Sequence, residues 1–426
     1  MTRVLIVGGG GREHALGWAC ARGRDDVELI VAPGNGGTAR IAENVSLDAT
    51  DAAAVARLAR ERAADLVVIG PDAAAAAGVA DACFDSGIAV FGPTAAAAHI
   101  ESSKSFAKAL MDDAGIPTAR WASGSASDRG RVDAFIDEHN GRCVVKADGL
   151  ALGKGVVVCE SVEAARGAVD ACLQEARFGA AGDRVVVEEL LAGDEVSVLC
   201  VTDGRNVRVL PTSRDHKRAH DGDTGPNTGG MGAVAPMPAA PVDLIVRRVL
   251  QPCVDALRER GTPFAGCLYA GIMLTDSGPQ VLEFNARFGD PEAQVVLPLL
   301  GEPALPLFEA CARGGVQPGT AVSRTGCAVG VVAASAGYPA SARTGEVIAG
   351  LEDVADDVLC FHAGTREHGG GLVTSGGRVL CLTAVADDLA SARECAYANI
   401  SRVRFDGMWY RADIGAVGAT ALAIGR

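Results

Sequence analysis

Short apolar runs alternate with alanine-rich amphipathic stretches through the first hundred positions. Val4–Val7, Val27–Ala32, Leu66–Ile69 and Ile88–Phe91 read as buried strands, with Glu13–Arg22, Asp51–Ala63 and Ala73–Phe84 as the helices between them. That alternation predicts a doubly wound parallel sheet, whose ligands sit at the carboxyl ends of the strands. Those ends carry Gly8–Arg12, Pro33–Gly37, Gly70–Asp72 and Gly92–Thr94, four turns of glycine, proline and short polar residues.

The pattern then changes. Ser102 suits the N-cap of a helix through Asp113, closed by Gly115 and Pro117. Two strand-like runs, Cys143–Lys146 and Gly155–Cys159, flank the glycine-rich segment Ala147–Lys154, and Arg184–Leu190 makes a third. Val196–Val201 and Val207–Pro211 form a hairpin turning at Asp203-Gly204. Thr212–Pro238, dense in Gly, Pro, Asp and Asn, shows no apolar period and is expected as a long irregular loop, functional or disordered. A second hairpin pairs Cys267–Leu274 with Gln280–Phe284. Beyond Val322 come strand runs at Cys327–Ala333, Val358–His362 and Val379–Val385, then a helix near Leu389–Val403.

Composition narrows the function classes. At 426 residues the chain should hold about two to four domains. A net charge of −14 with 4% aromatic residues excludes a basic, stacking nucleic-acid surface. No apolar run approaches the length of a membrane span, and MTRVLIVGGGGREH lacks the apolar region of a signal peptide, so a cytoplasmic protein without membrane partners is expected. Thirteen scattered cysteines without a C-x-x-C pair read as reduced core residues. Only five of the 39 basic residues are lysines: Lys104, Lys108, Lys146, Lys154 and Lys217. Either chance left them, or each marks a place where a compact ammonium does what a guanidinium fork cannot.

Five segments carry candidate chemistry. Gly8–Gly11 with Arg12 resembles a dinucleotide turn, but Glu13 stands in place of the third glycine and the second strand ends in Ala32-Pro33 rather than an acid, which disfavours NAD. The turn still suits a phosphate, or is a tight turn alone. VVKADGLALGKG, from Val144 to Gly155, places Lys146 and Lys154 around three glycines as a flap for a polyphosphate, without Walker spacing. Downstream, VVVEELLAGDE puts Glu188, Glu189 and Glu195 after an apolar strand, suited to an adenine amino group and ribose hydroxyls or to an exposed hairpin end. In LEFNARFGDPEAQ, Glu283 and Asn285 project from one face of a strand, two oxygen ligands suited to Mg²⁺, and Arg287 follows on that face if the strand continues. The loop Ser213–Gly232, with Asp215, Lys217, Arg218, Asp223 and Asn227, has the composition of a substrate cover.

Together these motifs resemble the phosphoribosylamine–glycine ligase (glycinamide ribonucleotide synthetase) family of ATP-grasp enzymes. GREHA, APGNGGTA, FGPT, KADGLALGKG, DHKR, DTGPNTGGMG, FNARFGDPEAQ, GYP, RTG, FHAGT, GGRVL and DIG spread the likeness over essentially the whole length. The resemblance implies an α/β and α+β multidomain protein: an amino-terminal phosphoribosylamine-binding domain over 1–103, an ATP-grasp core over 104–122 and 190–322, a mobile lid over 123–189 and a small α/β domain over 323–426. It implies a purine-biosynthetic reaction in which ATP, with Mg²⁺ or Mn²⁺, converts glycine to glycyl phosphate, and 5-phosphoribosylamine then attacks to give glycinamide ribonucleotide, ADP and phosphate.

By the same resemblance Lys104, Lys146, Gly149, Gly153, Lys154 and Gly155 contact ATP phosphates, with Lys108 left on the surface of the helix that carries Lys104. Glu188, Glu189, Leu191 and Glu195 hold adenine and ribose, Glu283 and Asn285 the metal, and Arg287 with Lys146 acts in catalysis. Gly10, Gly11, Arg12, Asn35, Gly36, Asp72, Asp215, Lys217, Asn227, Thr228, Asp290 and Pro291 fall on the amine and glycine side. Two departures stand out: Gly70-Pro71-Asp72-Ala73-Ala74-Ala75 where the family reads Gly-Pro-Glu-x-Pro-Leu, and Val234 where a tyrosine is usual. They leave room for a paralogue joining another amino acid or amine. The oligomeric state is left open, a monomer included.

Overall fold

The computed structural model of the protein describes residues 1–151, 155–174 and 179–416. Its amino-terminal sheet is parallel, in the spatial order Glu43–Asn44, Val27–Pro33, Thr2–Gly8, Leu66–Ile69, Val90–Phe91. Val4–Val7 and Leu66–Ile69 are buried on both faces, which is why they read as continuous apolar runs without alternation. The winding direction reverses between Thr2–Gly8 and Leu66–Ile69, so the glycine turn after Gly8 opens at the switch point. The helix expected over 73–84 is two helices, Asp72–Ala76 and Val79–Asp85, parted by Gly78 at φ +79°, a conformation glycine adopts without strain.

Ser102 closes one helix, Ala95–Ser102, and its neighbour Ser103 caps the next, Lys104–Asp113, accepting from the Phe106 N–H at 3.2 Å. The cap is therefore one residue beyond the expected position. Strands Trp121–Ser125, Arg184–Glu189, Arg142–Ala147 and Val156–Glu160 then form an antiparallel sheet. Helices Gly130–Glu138 and Val162–Leu173 pack on it around Val132, Ile136, Val145 and Val169, a small core separate from the two larger ones.

A second five-stranded sheet runs Gly278–Asn285, Ala265–Thr275, Asp194–Asp203, Val207–Val209, Gly319–Thr320. The third runs Arg214–Asp215, Gly232–Ala235, Cys327–Ala334, Arg378–Ala386, Leu359–His362. Two of those strands come from the segment expected to be an irregular loop. The remainder of that segment forms a hairpin, Arg218–His220 with Thr224–Asn227. Strands of two to four residues are too short to show a hydrophobic period, yet Gly232–Ala235 is buried throughout and pairs main-chain groups that an irregular loop would leave unpaired there. Arg411, with a fully buried side chain, pins the hairpin by pairing with Asp223 at 2.7 Å and Asp413 at 2.6 Å. The thirteen cysteines form no disulfide, and ten are buried. No described helix is long and apolar enough to cross a membrane.

Candidate active site

The four sheets, or the turns at their ends, and the lysine-bearing helix face a cleft of about 850 Å³. Strand Gly278–Asn285 supplies its floor. Period-two alternation sends Glu283 and Asn285 into the cleft as expected, and Arg287 follows them although the strand ends at Asn285. Arg287 Nη2 meets Glu101 Oε1 at 2.7 Å, while Glu101 Oε2 accepts from the Ala286 N–H at 2.7 Å. Burial opposes the Arg287 charge, but Glu101, Asp72 and Glu292 outweigh it and raise the guanidinium above its ordinary range. Burial likewise raises Glu101, against the pull of Arg287. Arg287 Nε is buried without a hydrogen-bond partner.

Glu283 shows the opposite balance. Burial would raise its carboxyl, but Lys217, Lys146, Lys104 and Arg287 hold it below the usual value, so it stays ionised. Among the described residues no group of three or more His, Cys, Asp or Glu side chains could cage a metal. An ionised carboxylate and an amide oxygen on one face fit instead an ion such as Mg²⁺ that takes the rest of its shell from phosphate and water.

Lys146, next to last in strand Arg142–Ala147, donates to the Leu282 carbonyl at 2.9 Å, beside Glu283. Its ammonium also lies 3.0 Å from Glu188 Oε1. Lys104 donates to the Gly149 carbonyl at 3.2 Å, and burial lowers its pKa. Lys108 is not on the surface. It is 2% exposed and 3.1 Å from Glu188 Oε2, because the helix turns this side chain to the same face as Lys104. Alternation along Arg184–Glu189 separates the two glutamates: Glu188 faces the lysines, whereas Glu189 accepts from the Arg120 main-chain N–H at 3.2 Å. Lys217 pairs with Glu195 and lies 3.6 Å from Asp215. Burial, with Glu292 and Glu195 nearby, pushes Asp215 up against the pull of Lys217.

A smaller cleft of about 350 Å³ opens where the amino-terminal turns meet the carboxyl-terminal sheet. Gly10 and Asn35 line it from one side, Thr365, Ser375 and Arg378 from the other. Asp290 and Arg378 line both clefts and lie 3.3 Å apart. The Glu13 that breaks the dinucleotide pattern has a structural task. Its Oε2 accepts from the Gly10 N–H at 2.6 Å, and Oε1 from Arg12 Nε at 2.6 Å. A methyl group at Gly70 would come within 2.0 Å of Glu13 Oε1, so the carboxylate itself fills the glycine-lined hollow.

The large cleft gathers Arg12, Asp72, Lys104, Lys146, Gly155, Glu188, Glu189, Leu191, Glu195, Asp215, Lys217, Asn227, Thr228, Glu283, Asn285, Arg287 and Asp290. Gly11, Gly36, Gly149 and Pro291 line neither cleft. Gly153 and Lys154 lie outside the described residues. The departures noted in the sequence separate here: Asp72 faces the large cleft, but Val234 is 1% exposed within the carboxyl-terminal sheet and lines neither. Reading motifs missed Glu101, which lies in none of them. It passed over Arg378, within GGRVL, and Lys108, whose four-residue spacing from Lys104 was a usable signal.

Residues 2–101, 102–293 and 328–417 match, in order, the N domain, the ATP-grasp (A) domain and the C domain of phosphoribosylglycinamide synthetase. The chain belongs to the phosphoribosylglycinamide synthetase family. A synthetase relative from Streptomyces coelicolor, a phosphoribosylamine–glycine ligase, is 50% identical over 98% of this chain and its own full length. The crystal structure of phosphoribosylamine–glycine ligase from Thermotoga maritima superposes with a TM-score of 0.84 at 35% identity, covering 97% of this chain and all of that one. The synthetase fold extends further: a biotin carboxylase domain from Hydrogenobacter thermophilus gives a TM-score of 0.73 at 17% identity, covering 96% of this chain and 91% of that one.

Proposed function

We propose that the protein joins glycine to 5-phosphoribosylamine at the expense of ATP, through glycyl phosphate, in purine biosynthesis. Family membership over all three domains and the full-length ligase relative support this reading. The observation that carries it is the meeting of Glu283, Asn285, Arg287 and Lys146 in one cleft, an ionised carboxylate and two cations around a space that fits a triphosphate.

A carboxylate is a poor acyl donor because oxide leaves badly, so an oxygen of glycine first attacks the γ-phosphorus and the bond to the β,γ-bridging oxygen breaks, releasing ADP. Lys146 and Lys104 bind the phosphates. Arg287, held by Glu101, spreads the charge of the transferring phosphoryl group. Glu283 and Asn285 would hold a divalent cation, Mg²⁺ or Mn²⁺, which would neutralise charge on the phosphates when bound. The amine nitrogen then attacks the acyl carbon, the carbon–oxygen bond to phosphate breaks, and the amine gives up a proton. Leu191 offers main-chain groups to adenine. Asp215 and Lys217 stand on the glycine side, and Gly10, Asn35 and Arg378 on the ribosyl phosphate side.

The test is turnover with glycine and freshly generated phosphoribosylamine, following ADP and identifying the product by mass. Glycinamide ribonucleotide is expected, and ADP formation only with another amine or amino acid would overturn the assignment.

A further inference from the structure

Lys108 is a buried ammonium with no motif of its own. Its Nζ has three acceptors for three protons: Thr118 Oγ1 at 2.7 Å, Glu188 Oε2 at 3.1 Å and the Ala119 carbonyl at 3.4 Å. Thr118 passes the contact on by donating to the Val281 carbonyl at 2.7 Å, on the strand that carries Glu283. The other oxygen of Glu188 sits 3.0 Å from Lys146 Nζ. One carboxylate thus bridges two ammonium groups, and both lysines line the large cleft.

We propose that Lys108 is a positioning residue for nucleotide binding: by sharing Glu188 it keeps the Lys146 ammonium available to the triphosphate. Two cations around one carboxylate leave one net positive charge facing the cleft. Without Lys108, Glu188 and Lys146 form a closed neutral pair, and drawing Lys146 toward phosphate strands a buried carboxylate, which is costly. A guanidinium is too broad for a site whose three acceptors converge on one nitrogen. Burial and neighbouring Lys146 push the Lys108 pKa down to about 8, while Glu188 from the facing strand and Asp112 from its own helix pull it up. The charge is therefore largely present at neutrality and falls as pH rises through that value.

This inference rests on reading the cleft as a nucleotide site, which MgATP binding to the unaltered protein tests separately by calorimetric titration. With that binding in hand, Lys108→Met should weaken MgATP by about tenfold or more. Combining it with Glu188→Gln, which removes the unshared charge, should restore most of the loss, whereas a merely structural lysine would show no such recovery. The unaltered protein should lose more MgATP affinity between about pH 7.5 and 9 than the double variant, in which Lys104 still titrates but Lys108 does not. If Lys108→Met fails to fold, the double variant and the pH series still decide. Unchanged affinity in Lys108→Met, no recovery in the double variant, or an equal pH response in both proteins would overturn the proposal.

Discussion

Replacing Glu101 by glutamine tests whether Arg287, proposed above to stabilise the transferring phosphoryl group, depends on a residue outside every recognisable motif. The carboxylate does two things at once: Oε1 meets Arg287 Nη2 at 2.7 Å and Oε2 accepts the Ala286 N–H at 2.7 Å. An amide has one acceptor oxygen, so Glu101→Gln keeps one of these contacts and turns an N–H donor toward the other donor. The loss is one charge-assisted hydrogen bond in a buried setting, about 1.5–3 kcal/mol. Glu101→Ala strands the guanidinium and should cost more, about 3–5 kcal/mol. If the same contact fixes the guanidinium against the transferring phosphoryl group, kcat should fall by about tenfold to a hundredfold in the glutamine variant, since about 1.4 kcal/mol is a factor of ten. The KM for ATP should change by less than about threefold, because the lysines are untouched. Steady-state kinetics beside urea unfolding would read both effects. A glutamine variant with kcat within about twofold of the parent and an unshifted unfolding midpoint would refute the reasoning.

Other substitutions probe separate parts of the site. Lys146→Arg preserves charge but not the compact donor that fits between Leu282 and Glu188, and should raise the KM for ATP by about tenfold or more in a coupled ADP assay. Arg378→Leu removes donors to the Gly229 carbonyl at 2.7 Å and the Asp290 carbonyl at 2.6 Å, and should raise the KM for the ribosyl substrate more than that for ATP. Arg411→Met should loosen the hairpin that leads into Asn227 and lower stability by about 1–3 kcal/mol, because Asp223 and Asp413 are part-exposed and can rehydrate. Burial would raise Asp413, but hydrogen bonds from Arg411 and the Gly222 N–H hold it at about 2. Its contribution is thus present above the unfolded value of about 4 and lost as pH falls toward 2, so proteolysis within 218–227 should accelerate over that window in the parent and less so in Arg411→Met.

The central strands of the parallel sheet and the two hairpins were legible because they carry apolar runs or turn signals, whereas the two-residue edge strand Glu43–Asn44 carries neither. The segment 212–238 was not, since its strands are short and their partners, Cys327–Ala334 and the carboxyl-terminal residues around Arg411, are remote in sequence. Glu283 and Asn285 could be placed from alternation along one strand, while Arg287 reaches the same cleft from beyond its end. Glu188 and Glu189 show the limit of the same rule: adjacency put both near the nucleotide in the sequence, and the pleat gave them different partners. Lys108 was misplaced for a related reason. A lysine on a helix reads as solvated unless the burying element is known, and here that element is strand Arg184–Glu189, more than seventy residues away.

The proposed reaction turns on phosphorylation of the glycine carboxylate before the amine attacks. Turnover with glycine labelled with ¹⁸O in both carboxyl oxygens tests it most directly, reading the label in the released inorganic phosphate by mass. One labelled oxygen per turnover is expected in phosphate, with the other retained in the amide product. Phosphate free of label, alongside normal product formation, would contradict it.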